Sequence, residues 1–177
     1  MSPTGVRKDP VRGYNFLITL TDSASSLTTI VISVLAAPQA GFSECSGLES
    51  TMQVEEYREG GRNDTVLKFP GRVSYAPIRL RRGAALTDDL WNWYYDFVQG
   101  KGKRRDGVIV LQDDQHNPIR SWQFTRGFPV KWVGPALNAT SNAVAIEELE
   151  IVHEGLKMAR GGGLVGAVQS LGRALGL

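Results

Sequence analysis

The sequence has few of the residues that build disulfides and metal centres. Its 177 residues include one cysteine, Cys45, and two histidines, His116 and His153. A single thiol excludes an internal disulfide framework and a multi-cysteine metal cluster, and we expect it to be buried and inert. Each histidine lies far from any other His or Cys, whereas zinc ligands usually cluster in sequence. We therefore expect no metal and no cofactor.

Long apolar segments are also missing. The first ten residues, MSPTGVRKDP, contain no apolar core of the kind that a secretory signal needs. The apolar runs elsewhere are much shorter than the roughly 20 residues that span a bilayer as a helix. We expect neither a secretory signal nor stable membrane insertion.

Motifs that mark catalysis are absent. Ser43 and Ser46 flank Cys45 without forming a G-x-S-x-G nucleophile elbow. The segment GGRND (60–64) lacks the Gly-Lys-Ser/Thr of a phosphate-binding loop. The acidic pairs are adjacent in sequence, so on a strand their carboxylates would point to opposite faces. The sequence therefore predicts a protein that is not an enzyme.

The charge is small in total but unevenly distributed. The net charge is +2, which does not indicate a nucleic-acid binder. Residues 58–105 hold eleven basic and five acidic side chains, whereas the remainder holds nine basic and thirteen acidic. Opposite poles could dock copies head to tail; a mixed, solvated surface is the alternative.

Most of the chain consists of short β-prone segments separated by turns. They lie at 13–20, 27–36, 51–59, 65–69, 108–113, 119–127 and 129–134. Segment 143–157 mixes helix-forming and strand-forming residues and is ambiguous at this point. Many short strands with a single helix predict a mainly β, small antiparallel barrel or sandwich over residues 1–158.

One helix is predicted over residues 87–100. Thr87 suits the N-cap position, and Gly100 suits the end of the helix. A stripe with helical spacing is expected to face the core. It consists of Leu90, Tyr94, Phe97 and Val98, with Trp91 beside it.

The segment KFPGRVSYAPIRLRRG (68–83) combines apolar alternation with five basic side chains and no acid. Because Val73 and Ile78 have opposite parity around Pro77, we expect one strand with a bulge at the proline. The bulge would put the apolar pairs on one face, with Arg79 and Arg81 on the other.

The last residues change in character. Residues 159–177 begin with a glycine-rich hinge and continue with apolar residues at helical spacing. These are Leu164, Val168, Leu171 and Leu175. We predict an amphipathic C-terminal extension that contacts a partner; a frayed terminus is the alternative, and a membrane-surface helix is disfavoured by the single cation and lack of aromatic anchors.

Two basic clusters leave a nucleic-acid-binding β-barrel as a second hypothesis. The clusters are Arg79, Arg81 and Arg82, and the loop residues Lys101, Lys103, Arg104 and Arg105. Aromatic side chains on strands, among them Trp122, Phe124 and Trp132, could stack bases beside these cations. We favour a core position for these aromatics, since large aromatics in a small β domain are mostly buried.

Five segments in order resemble the inner tail-tube proteins of contractile phage tails and phage-tail-like injection systems. They are DPVRGYNFLITL, FSECSGLES, VEEYREGG, FPGRVSYAPIRLRRG followed by the helix with Trp91 and Trp93, and AVAIEELEIVHEGL. The likeness covers about residues 9–158. It implies that residues 143–157 form a strand, and that the fold is a small β-barrel with one flanking helix.

The resemblance also implies a structural role. Six copies would form a ring with a continuous β-barrel as its inner wall, and rings would stack into a tube. The haemolysin-coregulated tube protein of type VI secretion shares this architecture. The implied partners are further copies, sheath and baseplate or spike proteins, and effector cargo or DNA in the lumen. Assembly in the bacterial cytoplasm, with possible release of the particle, is the implied location.

Two questions stay open in the sequence. The chain could be the main tube subunit or a tube-initiating subunit at the baseplate, where the extension 159–177 would contact adaptor proteins. The face with Arg79, Arg81 and Arg82 could meet the lumen or an acidic patch on a neighbouring subunit. The acidic candidates are Glu55, Glu147 and Glu150.

Overall fold

The structure is a computed structural model that describes residues 13–22, 41–61, 64–84, 87–140 and 142–160. Within these ranges the chain forms nine strands and one helix. They are β1 (Phe16–Asp22), β2 (Phe42–Ser46), β3 (Ser50–Tyr57), β4 (Leu67–Tyr75), β5 (Ile78–Gly83), α1 (Asp89–Val98), β6 (Arg105–Gln112), β7 (Pro118–Val133), β8 (Ile146–Val152) and β9 (Gly155–Arg160).

The main sheet is antiparallel and has the order β1-β6-β7-β8-β5-β2, with β9 also paired to β7. Strands β3 and β4 form a separate two-stranded sheet. The main sheet folds over into two layers that share β7, and β1 and β2 do not pair with each other in the described part. The predicted mainly β fold of the barrel or sandwich type is confirmed, in the form of an open sandwich.

Strand β7 is the long element that connects the two layers. Its first part pairs with β6 on one side and β9 on the other, and its last part pairs with β8. The bend falls at Arg126, which has a positive φ of 53°, and at Gly127, where an added Cβ would lie 2.6 Å from the Phe124 ring. The separate strands predicted at 119–127 and 129–134 are therefore one bent strand.

The ambiguous segment 143–157 is β structure, as the resemblance implied, but it forms two strands. Strands β8 and β9 follow β7 and break at His153 and Glu154, opposite the bend. Strand β9 continues to Arg160, so its pairing with β7 extends two residues beyond the predicted domain end at 158.

The core lies between the two layers and α1. Its buried side chains come from five strands and the helix. They are Ile18, Ile78, Leu80, Leu90, Trp93, Ile109, Phe124, Leu149 and Ile151. At about 25 cal/mol per Å² of apolar surface, this cluster is the main source of stability.

Helix α1 starts and packs differently from the prediction. The N-cap is Asp88, without a side-chain capping hydrogen bond, so the predicted Thr87 cap is wrong. The buried positions are Leu90 and Trp93, whereas Val98 is exposed. The ring of Trp93 lies in the core, and its indole Nε1 donates to the Lys103 carbonyl at 2.9 Å, so the polar group is not left unpaired by burial.

Pro77 separates two strands instead of producing a bulge in one. Strand β4 ends at Tyr75 and belongs to the two-stranded sheet, whereas β5 begins at Ile78 in the main sheet. Strand β4 also runs without interruption through Pro70 and Gly71. A proline lacks the amide hydrogen that a continuous ladder needs, so the chain changes sheets at Pro77.

Two predicted features lie outside the described residues. One is the strand at 27–36, and the other is the extension from residue 161 with Leu164, Val168, Leu171 and Leu175. Within the ranges that are described, no helix is long and apolar enough to cross a membrane.

Candidate functional site

The hairpin of β3 and β4 projects from the sandwich and is exposed along nearly its whole length. Its apolar side chains are nevertheless numerous. They are Met52, Val54, Tyr57, Leu67, Phe69 and Val73, each at least 37% exposed. A two-stranded ribbon is marginally stable in water by itself, and large exposed apolar surfaces are typical of protein, membrane or ligand interaction sites.

The apolar side chains of this hairpin change face along its length. Near its base Met52 is opposite Val73, and Val54 follows on the same face. Beyond a bulge in β4, Tyr57 lies opposite Leu67 on the other face, with Phe69 beside them. We call these sets the base patch (Met52, Val54, Val73) and the tip patch (Tyr57, Leu67, Phe69). Two patches on opposite faces can contact two different surfaces.

The base of the hairpin is attached tightly to the sandwich. Gly47 has a φ of +85°, and an added Cβ would lie 2.0 Å from the Pro77 carbonyl oxygen. The Ala76 amide donates to the Glu49 carbonyl at 3.2 Å. These contacts hold the hairpin in one direction relative to the core.

A buried histidine lies between the hairpin and the core. The ring of His153 is 5.3 Å from that of Tyr75, the last residue of β4, and 5.8 Å from that of Phe124. Its Nδ1 contacts the Gly155 carbonyl at 3.0 Å. Burial lowers the pKa of His153, and the carbonyls of Gly155 and Ala76 oppose that shift.

The face of the main sheet that points away from the core carries charges of both signs, and most of them are paired. We call it the charged face, and it consists of Glu44 on β2, Arg79 and Arg81 on β5, Glu148 and Glu150 on β8, and Lys131 on β7. Arg81 contacts Glu44 at 2.9 Å and Glu148 at 3.6 Å, and Arg79 lies 3.9 Å from Glu150. As predicted, Arg79 and Arg81 share a face.

Arg82 and Glu147 point in the opposite direction, into the core. The Arg82 Nε donates to the Glu147 carboxylate at 2.5 Å, and both side chains are almost fully buried. The Trp132 indole donates to the other carboxylate oxygen at 3.3 Å, and Arg82 also donates to the Thr87 carbonyl. This pair is internal, so the expectation that Arg82 and Glu147 meet a neighbouring subunit or the lumen is wrong. Glu55, another acidic candidate, lies on the hairpin.

The basic loop is partly neutralised within the subunit. Arg104 donates to Glu154 at 2.7 Å and lies over the Phe128 ring, and Arg126 donates to the same carboxylate. Arg105 belongs to β6, where it lies 3.5 Å from Asp22 and over the Trp93 ring. Lys101 and Lys103 are exposed.

The aromatic side chains do not accompany the basic ones on an open surface. Phe124 is fully buried, and Trp122 and Trp132 pack against the core. Because the arginines are matched by acids and these aromatics face inward, the stacking surface required by the nucleic-acid hypothesis is not formed.

A cavity of about 320 Å³ opens between β2 and the layer of β1 and β6. Its lining includes Phe16, Cys45, Leu48, Ile109 and Trp122. Burial, with a smaller effect of Glu44, raises the pKa of the Cys45 thiol to about 12, so the thiol is protonated and unreactive at neutral pH. No group of three or more potential metal ligands occurs among the described side chains.

The family model of the T4-like virus tail tube protein gp19 matches residues 13–157. The chain belongs to this tail tube family. The match covers both sheets and the helix, and it ends inside β9. No curated protein sequence matches the chain significantly.

Solved structures show the same tail tube fold. A chain of the PVC sheath-tube complex, from an extracellular contractile injection system in the extended state, aligns with a TM-score of 0.70 at 24% identity, covering 85% of this chain and 92% of the other. A chain of the anti-feeding prophage baseplate aligns with a TM-score of 0.72 at 24% identity, covering 87% and 98%.

The residues that sequence reasoning missed are the two hairpin patches, together with Glu44, Lys131 and Glu148. A signal for the hairpin was present, because GGRND separates two strand-like segments that both contain apolar residues. The sign of charge on each strand of the charged face was visible too, but the order of strands was not.

Proposed function

We propose that this tail tube family member forms hexameric rings that stack into the inner tube of a contractile phage-tail-like injection particle. The observation that supports assembly most directly is the projecting hairpin, which exposes six apolar side chains that its own subunit leaves uncovered. Among the described residues, β1 and β2 each pair on one side only, which supports assembly as well, because unprotected edges invite pairing with other chains.

In this proposal the hairpin lies between neighbouring copies. The base patch and the tip patch face opposite directions, so one hairpin contacts two surfaces, as an element inserted between subunits must. Burial of six large side chains at about 25 cal/mol per Å² would stabilise such contacts strongly. The hairpin itself gains the cover that an isolated ribbon lacks.

The charged face forms the wall of the lumen. It lies on the opposite side of the main sheet from the core and α1, and Glu44, Arg79, Arg81, Lys131, Glu148 and Glu150 give it three positive and three negative groups. A wall with equal numbers of positive and negative groups attracts neither anionic nor cationic molecules strongly. Effector cargo or DNA can therefore pass without being retained. Sheath and baseplate proteins would contact the outer surface, which includes α1, and the particle would be assembled in the bacterial cytoplasm.

Electron microscopy of purified protein over a range of concentrations tests this proposal. We expect rings with sixfold symmetry and short stacks. A double variant of the hairpin, Val54→Asp with Phe69→Asp, should remain folded but lose the stacks. Lys101→Glu, a change of charge in the exposed basic loop, provides the matched control. A wild-type protein that stays monomeric at every concentration, even with sheath and baseplate proteins, would contradict the proposal.

The choice between main tube and tube initiator depends on the C-terminal extension. Because Ala159 and Arg160 pair with β7, the informative deletion removes residues 161–177 and leaves β9 intact. A tube initiator would lose its place in the baseplate while its sandwich stays folded. A main tube subunit would still polymerise at the wild-type rate.

A further inference from the structure

The ring of His153 lies between the hairpin and the core and has one nitrogen without a partner. The side chain is buried, and its Nδ1 lies 3.0 Å from the Gly155 carbonyl oxygen. Because a carbonyl oxygen only accepts hydrogen bonds, Nδ1 carries the hydrogen of the neutral ring and Nε2 carries none. Nε2 is also buried and makes no hydrogen bond with any described residue. A buried polar atom without a partner is rare in folded proteins and calls for a structural or functional reason.

Two aromatic rings contact this histidine from different parts of the molecule. Tyr75, the last residue of β4, approaches from the hairpin with its ring centroid 5.3 Å away, and Phe124 approaches from the core at 5.8 Å. Phe124 is fully buried and belongs to the interior of the sandwich. His153 is therefore a side chain that links the end of the hairpin to the core.

The charged groups near His153 are engaged elsewhere. Glu154, the next residue, is exposed, and its carboxylate binds Arg104 and Arg126, each at 2.7 Å. Tyr75 is the titratable group that faces the ring from the hairpin. Among the described residues, no charged side chain contributes to the lowered pKa of His153, which is caused by burial.

A proton on Nε2 is therefore costly while the hairpin is in place. Burial disfavours the charged ring and lowers the pKa of His153, and the carbonyls of Gly155 and Ala76 oppose this shift without cancelling it. The added N–H would have no described acceptor at hydrogen-bond distance, and an uncompensated charge in the interior is destabilising. Exposure of the ring to water would relieve this cost.

The hairpin is the neighbour of His153 that can move away with the least loss. Strands β8 and β9 are both joined to β7 by ladders of backbone hydrogen bonds. In the described part of the chain, β3 and β4 pair only with each other. The hairpin can thus separate from the ring without breaking a ladder of the main sheet. Local opening takes place in elements with few contacts to the rest of the molecule.

We propose that His153 is a proton-sensitive latch, whose neutral ring holds the base of the hairpin against the sandwich and whose protonation releases the hairpin. The released ring titrates at the ordinary value of about 6.5, whereas the held ring binds a proton less readily. The latch is therefore closed above about pH 6.5 and opens progressively as the pH falls below that value. Because the hairpin carries both apolar patches, stacks of rings should come apart in mild acid; this consequence, unlike the release itself, rests on the proposed function.

Hydrogen exchange of the full chain, measured by mass spectrometry below the assembly concentration, tests the latch. Rates at pH 7.5 and pH 5.5 are corrected for the intrinsic effect of pH on exchange. A peptide that contains Ala76 should open more readily than peptides from β6 and β9 at both pH values, since the release is local. Its opening should increase by up to about tenfold at pH 5.5, because release takes up one proton over about one pH unit below 6.5.

Two variants remove the titrating group from the latch. His153→Phe keeps an aromatic ring at the site, and His153→Gln keeps a polar side chain should the first variant fail to fold. In both, opening of the Ala76 peptide should not depend on pH. His116→Asn is the matched control, because His116 is the only other histidine, is exposed and has a positive φ of 63°, which asparagine tolerates. This control should respond to acid as the wild type does.

Three results would overturn the latch. The first is opening of the wild-type hairpin that is the same at both pH values, and the second is an equal response in the His153 variants. The third is protection of the Ala76 peptide equal to that of β6, which would mean that the hairpin leaves only when the whole domain unfolds.

Electron microscopy at the two pH values separates the latch from the ring. Stacks of the wild-type protein should disappear at pH 5.5, whereas those of His153→Phe should persist. A wild-type protein without rings at pH 7.5 would contradict the proposed function, and hydrogen exchange of the dilute protein would still decide the latch.

Discussion

The hairpin of β3 and β4 and the strand β5 are neighbours in sequence with opposite surroundings. Phe69 and Val73 on β4 are exposed, whereas Ile78 and Leu80, only a few residues later, are fully buried. Both β4 and β5 contain apolar residues interspersed with basic ones. The same local pattern can therefore lie in the core or on an exposed, projecting hairpin, depending on where the chain directs the strand.

The charged residues show the same contrast at closer range. Arg81 and Arg82 are adjacent on β5, yet Arg81 lies on the charged face and Arg82 is buried against Glu147. Exposed ion pairs contribute little to stability because water and salt screen them. A buried pair is different, since removal of one partner leaves an uncompensated charge in the interior.

The largest expected effect on stability comes from a comparison of two phenylalanines, one in the core and one on the hairpin. Phe124→Ala should lower the free energy of unfolding by about 3–5 kcal/mol, since it leaves a cavity in the core. Phe69→Ala, on the hairpin, should change it by less than about 0.5 kcal/mol but weaken ring stacking. Urea denaturation below the assembly concentration and electron microscopy measure the two effects. Equal destabilisation by both changes would contradict the assignment of Phe69 to a contact between subunits.

The second comparison concerns two arginines of β5. Arg82→Ala should lower the free energy of unfolding by about 3–5 kcal/mol, because Glu147 stays buried without its cationic partner. Arg79→Ala removes an exposed pair with Glu150 and should cost less than about 1 kcal/mol. Urea denaturation of the two variants tests the difference. A small loss for Arg82→Ala would show that Glu147 is reached by water.

The third comparison tests how rigidly the base of the hairpin is attached to the sandwich. In the Gly47→Ala variant, an alanine must adopt a left-handed backbone conformation, and its Cβ would lie against the Pro77 carbonyl oxygen. We therefore expect the free energy of unfolding to fall by about 1–3 kcal/mol. Gly60→Ala is the control at the other end of the hairpin, where an added Cβ meets nothing within 4 Å. Thermal melting distinguishes them, and equal melting temperatures would argue against a rigid attachment.

The smallest expected effect is a pH dependence of stability caused by His153, which lies where the hairpin joins the core. Because burial lowers the pKa of His153 in the folded state, the unfolded chain binds the proton more readily. Stability should therefore decrease as the pH falls through the ordinary value of about 6.5 and towards the lower folded value. His153→Phe should remove this part of the pH dependence. Denaturation at pH 7.5 and pH 5.5 measures it, and an unchanged dependence in the variant would assign it to other groups.

Much of the fold could be predicted from local patterns. The alternation of residues predicted most strands, and the helix predicted over 87–100 lies within two residues of the observed α1 at each end. The shared face of Arg79 and Arg81 followed from the two-residue period of a strand. These features depend on residues close together in the chain.

Other features of the site could not be predicted in this way. The burial of Arg82 depends on Glu147, which lies 65 residues further along the chain. The bend that joins 119–127 to 129–134 depends on Arg126 and Gly127 fitting against β8 and β9. The exposure of β3 and β4 depends on where Pro77 directs the chain.

Local sequence patterns specify the β class, the position of the helix and the side of each strand on which a residue lies. Ordered motifs carry the resemblance to tail tube proteins. These follow from backbone periodicity and local residue preferences, which act over a few residues. Three other features are specified only by the folded chain: the hairpin lies outside the core, Arg82 pairs internally, and strands of opposite charge lie next to each other on the charged face. Those outcomes depend on strand pairing between distant segments, which a local pattern does not specify.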